Sequence, residues 1–482
     1  MFDKHPEYLR VSAIVAATLL VEFWPACTRA APPSATSAPQ RELAAIIEDY
    51  ISAGLASNLA LANQAIDVEK SQAALAAARA RFYPEIALSA RYTRADGGRQ
   101  INLLLGRLLN PAYQTLNELL LANGGAARFP ALADEAIPLQ LPREQDTRIT
   151  LRQPLYAPAI GAGVAAARAN LNASDYARQA YQRALRRDIT LAYLEWLKAG
   201  DGADIIAAGG ALLAENLRVS QSLYDNGKST RDAVLRARAA WLGAQQQQRE
   251  ALNGADQARS YLNFLLNRPL ATPLAVASAA SDASDSNGSC AAPAAAEAAP
   301  TAAATRPDLL ALEQAQLGAA AQLRAARAAR KPSLALGVDA GTEGSDYGVG
   351  RNYNFVTGSV VLTWTLFDAG ARRAAVSQAR LAGAQLANQH QQLAARIDLE
   401  LQQAADNCNS TVDSLATADA RAAAARAAFA IASRRRDAGI ASQLEFLDAR
   451  NELTGAELNR NLTHYALLQR QAEYGYARGD LP

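Results

Sequence analysis

Cysteine, histidine and aromatic residues are scarce in this 482-residue chain, with three Cys, three His and 6% Phe, Trp and Tyr. Cys27, Cys290 and Cys408 show neither CxxC spacing nor an even-numbered framework, so no zinc ribbon or disulfide scaffold is indicated, and Cys290 and Cys408 read as incidental. His5, His390 and His464 lack metal-ligand spacing, and the last two lie in helical runs and read as surface residues. An excess of one charge is missing too: Lys+Arg 48 against Asp+Glu 46 leaves +2, which offers no electrostatic case for nucleic acid. Gly161 and Gly163 follow a strand-like segment without the later glycine or the lysine of a phosphate loop. No catalytic residue, metal site or cofactor is called for. Nor does any run of 18 apolar residues follow residue 40, so any membrane crossing there must use β-strands.

One short apolar run does occur. Lys4 and Arg10 precede residues 11–21 (VSAIVAATLLV), which suit the core of a secretory signal. Cleavage near Ala30 gives a signal peptide over 1–30 and an N-terminal linker over 31–41. Cys27, which follows Ala26, is the alternative as a lipidated cysteine, although Trp24 and Pro25 fit such a recognition box poorly.

What the chain has in abundance is alanine, with Leu, Gln and Arg, in long stretches free of proline, and that composition predicts long packed helices. These are arranged as a tandem repeat. ITLRQPLY at 149–156 matches VVLTWTLF at 360–367, an offset of 211, and Asp225-Asn226-Gly227 matches Asp437-Ala438-Gly439 at 212. Upstream, Ala77-Ala78-Arg79 to Pro84 matches Ala325-Ala326-Arg327 to Pro332 at 248, so the first copy carries 37 extra residues between its strands. Each copy reads as helix, strand, hairpin, strand and two long helices joined by a tight turn. The first repeat spans 42–270, with strands about 85–94 and 146–156, an insertion over 95–145 and helices over 159–268. A low-complexity Ala/Ser/Pro linker fills 271–305. The second repeat spans 306–478, with strands about 333–340 and 355–367 and helices over 370–478.

The four strands have period 2. Ile86, Leu88, Ala90 and Tyr92 alternate with Ala87, Ser89, Arg91 and Thr93, and Val356, Val360, Leu362 and Trp364 with Thr357, Ser359, Thr363 and Thr365. A half-buried sheet on a soluble core has that pattern, as does a strand crossing a membrane, but an open four-stranded sheet leaves its edges unsatisfied in lipid. Tyr83, Tyr92, Tyr156, Trp364 and Phe367 near the strand ends suit an interfacial girdle. Arg91, Arg148 and Arg152 set against Asp339 predict a slightly anion-favouring polar face. Leu386, Leu393, Ile397 and Leu401 form a coiled-coil seam. Gly200, Gly202, Gly209 and Gly210 predict a kink or break in the first long helix, and Pro111 predicts that residues 101–121 form a short helix pair.

This order of elements resembles the TolC-like outer-membrane efflux protein family. The resemblance runs from about residue 42 to 478 and rests on the segments leading to Tyr83-Pro84 and Lys331-Pro332, on Leu366-Phe367-Asp368-Ala369-Gly370 opening a helix, and on the turns Tyr224-Asp225-Asn226-Gly227 and Arg436-Asp437-Ala438-Gly439, each followed by Leu-x-Ala-Arg. It implies a mainly α fold with a small β part: a homotrimer whose chains give four strands each to one twelve-stranded outer-membrane barrel, continued by a periplasmic α-helical tunnel. The implied function is passive export in a tripartite efflux or secretion system, with a periplasmic adaptor (membrane fusion protein) and an inner-membrane pump as partners. In such proteins the turns are the adaptor-contact tips, and acidic residues after the second turn line the aperture. Glu445 and Asp448 hold those positions, where the first copy has Ala233 and Arg236, and Arg436 stands where an aromatic is common. The competing reading is a periplasmic helical-hairpin adaptor or a structural coiled-coil protein.

Overall fold

The computed structural model describes residues 42–276, 306–346, 348 and 350–479. The signal segment, Cys27, Cys290 and most of the linker lie outside the described residues.

The first repeat opens with two helices, α1 (Leu43–Ser57) and α2 (Leu59–Ala80). Asn58 separates them: its side chain accepts from the Leu61 amide at 3.0 Å and donates to the Leu265 carbonyl at 2.9 Å, capping one helix while holding the end of another. Strand β1 (Glu85–Arg94) leads to a short ribbon, β2 (Gln100–Leu103), the helix α3 (Leu105–Ala122) and β3 (Glu135–Pro138), before β4 (Arg143–Tyr156) returns. Helix α4 (Pro158–Asp225) follows, 68 residues without interruption, then α5 (Arg231–Leu265). The second repeat is α6 (Pro307–Ala328), β5 (Ser333–Gly344), β6 (Asn354–Thr363), α7 (Ala371–Asp437) and α8 (Gln443–Arg478). Helices α2 and α6 start and stop 248 residues apart, the spacing found between the copies in the sequence.

Helix α4 has no break at its glycines, against the expectation from propensity. Gly202 faces Asn461 of α8, and Gly209 faces Arg450, whose guanidinium lies 2.5 Å from where a Cβ would stand. Gly209 makes room for the arginine, whereas a Cβ at Gly202 would meet Asn461 only at 3.5 Å, an ordinary contact. The packing gained along so long a helix outweighs a propensity cost of about 1 kcal/mol per glycine. Pro111 likewise lies inside a single helix, α3, and does not divide it. It forfeits one backbone bond, but the side-chain amides of Asn110 and Asn117 fasten α3 to the returning chain. Asn110 bonds both backbone groups of Leu132 at 2.7 and 2.8 Å, and Asn117 bonds the carbonyl and amide of Phe129 and the amide of Arg128 at 2.7 to 3.0 Å.

The strands form one antiparallel sheet, in the order β1-β4-β5-β6, and β2-β3 a separate ribbon. Strand β6 stops at Thr363, paired to Ser333, the first residue of β5. Residues 364–367, expected as strand, run past that point and find no partner strand among the described residues.

The tightest apolar core lies midway along α4, where Leu185, Ile189, Tyr193, Leu194 and Leu197 meet Ile46, Tyr50 and Ile51 of α1, Leu262 and Leu265 of α5 and Tyr465 of α8. Towards the sheet α4 packs on α2 and α6, and α6 on α7. Away from it α4 packs on α5 and α7 on α8, with α8 also crossing onto α4. The α7 seam continues from Ile397 and Leu401 through Ala405, Cys408, Ala418, Ala422 and Ala425, small residues that let the helices approach closely. Cys408 is not incidental: it is buried and disulfide-bonded, and its partner lies outside the described residues.

Candidate functional site

Three places carry the candidate functional residues: the sheet, the junction where helix follows strand, and the two helix-helix turns. Registers of the sheet put Ile86 beside Leu151, Leu88 beside Ile149, Ile149 beside Ala340, Leu336 beside Val360 and Ala340 beside Val356. One face is therefore apolar across all four strands, and Ile86, Leu88, Ile149, Val356, Val360 and Leu362 on it are exposed. The opposite face carries Ser89, Arg91, Thr93, Asp146, Arg148, Thr150, Asp339, Thr357 and Ser359. Both hairpin connections lie at one end of the sheet and all four helix connections at the other. The outer edges of β1 and β6 have no partner among the described residues.

The polar face is not basic, which corrects the expectation of an anion-favouring surface. Arg148 pairs with Asp146, both Arg91 and Arg148 approach further acids, Glu144 and Glu343, at 3.8 Å, and Asp339 accepts from the Thr150 hydroxyl at 2.6 Å. Glu144 and Glu343 join this face because the strands extend further than their apolar pattern: β4 starts at Arg143 and β5 runs to Gly344.

Where β6 gives way to α7, Asp368 accepts from the amides of Gly370 at 3.2 Å and Arg372 at 3.0 Å and from the Arg372 guanidinium at 2.6 Å. Those bonds hold its carboxyl below the usual carboxylate range, the Arg372 side chain contributing most. This is the residue of the Leu-Phe-Asp-Ala-Gly segment that opens the helix.

The two turns are built alike. After α4, the Gly227 amide bonds Tyr224 O at 2.9 Å and the Lys228 amide bonds Leu223 O at 2.8 Å; after α7, Gly439 bonds Arg436 O and Ile440 bonds Arg435 O, both at 2.8 Å. Gly227 and Gly439 take φ of 69° and 73°, the left-handed conformation that such a helix end requires. Asp225, Asn226, Asp437 and Ala438 occupy the same turn positions.

That duplicated geometry has counterparts among known proteins. Residues 298–473 match the outer membrane efflux protein family. The second repeat is similar to an efflux-protein domain. No curated protein matches the sequence. The efflux-protein fold extends over the first repeat as well. A structure of CusC described in terms of transmembrane channel formation is similar at TM-score 0.73 and 20% identity, covering 90% of this chain and 92% of that one. The Campylobacter jejuni CmeC outer membrane channel gives 0.73 and 17%, covering 90% and 85%. The Neisseria gonorrhoeae MtrE outer membrane channel in its open state gives 0.70 and 18%, covering 90% and 89%.

In this efflux-protein fold the expected aperture residues, Glu445 and Asp448, are both exposed in the first turns of α8. Glu445 also closes a capping box: Ser442 Oγ accepts from the Glu445 amide and the Glu445 carboxylate accepts from the Ser442 amide, each at 3.2 Å. Arg436 lies 4.1 Å over the ring of Phe446, which in turn meets Phe429 at 5.6 Å, so the second hairpin supplies its own aromatic beside the arginine. Burial there lowers the Arg436 pKa. Gln443 reaches across to the Ala233 carbonyl at 3.0 Å and ties the start of α8 to the start of α5.

Tyr83, Tyr156, Trp364 and Phe367 are exposed at the helix end of the sheet and Tyr92 at the hairpin end. Sequence reasoning missed Arg450, buried between α8 and Gly209 with its Nε unpartnered, and the Arg183, Arg187 and Arg306 guanidiniums gathered 4.5 to 5.6 Å over the Tyr476 ring. Neither follows a local pattern, since the partners come from opposite repeats. Among the described residues no group of His, Cys, Asp or Glu is placed to hold a metal ion, and no helix is long and apolar enough to cross a membrane.

Proposed function

We propose that this chain is the outer-membrane channel of a tripartite efflux or secretion system, a passive conduit that closes as a homotrimer and performs no chemistry of its own. The observation that carries the reading is the two-faced sheet with free edges at β1 and β6, joined at one end to helices long enough to form a tunnel. An apolar face exposed on four strands suits lipid, the polar face suits a water-filled lumen, and edges left open in one chain are satisfied by neighbouring copies. Export of the chain by its signal segment, and an adaptor and inner-membrane pump as partners, complete this reading.

In it, the turns at Tyr224, Asp225, Asn226 and Gly227 and at Arg436, Asp437, Ala438 and Gly439 are the adaptor-contact tips. Glu445 and Asp448, repeated in each chain, line the periplasmic aperture. Tyr83, Tyr156, Trp364 and Phe367 mark one membrane interface and Tyr92 the other, and the α3 arm lies outside, over the channel mouth. The deciding experiment is conductance across a planar bilayer by full-length protein purified in detergent from the outer-membrane fraction. Discrete, stable channels are expected. Fractionation as soluble periplasmic material, with no insertion in repeated preparations, would transfer the argument to a helical-hairpin adaptor.

A further inference from the structure

We propose that Arg94 and Arg143 together form a docking point for the phosphate of a lipid headgroup at the outer rim of the sheet, an inference that rests on the membrane reading above. The two arginines are directly opposite each other, the last pair in the β1-β4 register before the chain leaves for the α3 arm. Like charges in that position repel and weaken the sheet. Both side chains are exposed, and among the described residues neither makes an ion pair or a hydrogen bond. The acids at the same end leave them uncompensated: Glu144 turns to Arg91 on the other face at 3.8 Å, and Asp96 and Asp346 form no ion pair with either. The contrast with Arg91 and Arg148 is sharp, since those polar-face arginines are matched within the sheet.

Strand alternation assigns the pair to the apolar face. Arg94 is two residues beyond Tyr92, and Arg143 two residues before Gln145, whose amide donates to the Asp346 carbonyl under the short β5-β6 loop. Down the same face run exposed Tyr92, Leu88 and Ile86, and at the far end exposed Tyr83. Roughly ten tilted strand residues between the two ends span about 25 Å, the height of a membrane barrel's apolar band. The arginine pair therefore stands where acyl chains give way to headgroups. The anion held at fixed depth there is the phosphate ester of a lipid headgroup with net negative charge, since the choline of phosphatidylcholine neutralises its own phosphate, and guanidinium forks bind phosphate oxygens with two bonds each. Directly opposed residues have Cα atoms about 5 Å apart, so one phosphate can be shared by both side chains, which turns their repulsion into a common attraction.

The test uses full-length wild-type protein and the R94Q/R143Q variant in nanodiscs of phosphatidylcholine alone or mixed with phosphatidylglycerol. Lipid retained on release is counted by native mass spectrometry, and the melting midpoint of the β-sheet is followed. Wild type should retain phosphatidylglycerol about tenfold over phosphatidylcholine and melt higher in the anionic disc. The variant should lose both effects, and in pure phosphatidylcholine it should melt above wild type because the repulsion has gone. Equal retention of phosphatidylglycerol by the two proteins would overturn the proposal. So would inorganic phosphate reproducing the stabilisation in phosphatidylcholine discs, because the anion would then be a free one. Failure of both proteins to enter either disc sinks the membrane reading itself, and is distinct from insertion without lipid preference.

Discussion

His464 is held half-buried against the Tyr465 ring, 5.2 Å between centroids, and burial with the nearby Arg460 charge pushes its pKa down, Asp201 and Asp419 opposing only in part. The folded chain thus resists a proton that the unfolded chain accepts. Stability is undiminished above about pH 6.5 and falls as the pH drops from there towards the lower folded value. The His464→Gln variant should flatten that acid-side loss of thermal midpoint, and a slope unchanged from wild type would show that other groups cause it. The sequence placed this histidine on a surface because its neighbours in the helix are polar. What buries it is α4, whose Asp201 accepts from Tyr465 at 2.7 Å, and that contact spans 264 residues of chain. The turn before Glu445 and Asp448 is a local motif, so their exposed position at the start of α8 was legible, while their place at the aperture belongs to the proposal. Replacing both with Ala should weaken block of conductance by multivalent cations while costing about 1 kcal/mol or less through the lost capping interaction, measured as the midpoint in denaturant. Full retention of block would remove them from the aperture.

At the scale of elements, the helix-strand order, both tight turns and the alternation of the strands followed from local pattern, because a period of 2 or 3.6 and a glycine after a helix act within a few residues. The unbroken α4 and α3 did not, since what offsets Gly202, Gly209 and Pro111 is supplied from elsewhere. For α3 the supports are Asn110 and Asn117, seven residues apart on one face, each bonding the returning chain in both directions. An Asn110→Ala, Asn117→Ala variant loses bonds worth about 0.5–1.5 kcal/mol each. Amide exchange at residues 128–132 should quicken by about tenfold or more, with β1-β4 amides unaffected; uniform exchange across the arm and the sheet would show that the two open together. The second hairpin is stiffened differently, by ion pairs between its helices at Arg421-Glu452, Arg426-Glu457 and Asp419-Arg460, whereas those of the first hairpin, such as Glu215-Arg218 and Asp232-Arg236, stay within one helix. Each exposed pair is worth little alone.

For the whole molecule, the reading of the arm as an external cap makes a measurable statement. Deleting residues 97–139 removes the arm between two segments already in ladder register, since Arg94 is paired to Arg143 and the Ala95 amide bonds Pro142 O at 3.1 Å just outside the cut. The shortened protein should still assemble and conduct more, and an assembled channel with unaltered conductance would place the arm away from the mouth. Edge closure was legible as a problem, in that four amphipathic strands were too few, and in the homotrimer proposed above its answer lies in other copies, which no single sequence displays.

Helices α4 and α7 measure 68 and 67 residues, about 100 Å each, and the Gln443 bond to Ala233 holds the segments after their turns side by side. That equality acts as a gauge. Seven residues added to α4 alone would drop its turn about 10 Å below that of α7 and leave Gln443 far from Ala233, so a change in reach is tolerable only when both copies, and both members of each hairpin, lengthen in step. Whatever meets the turns meets a rim whose depth is set by the count of residues in two separate halves of one chain.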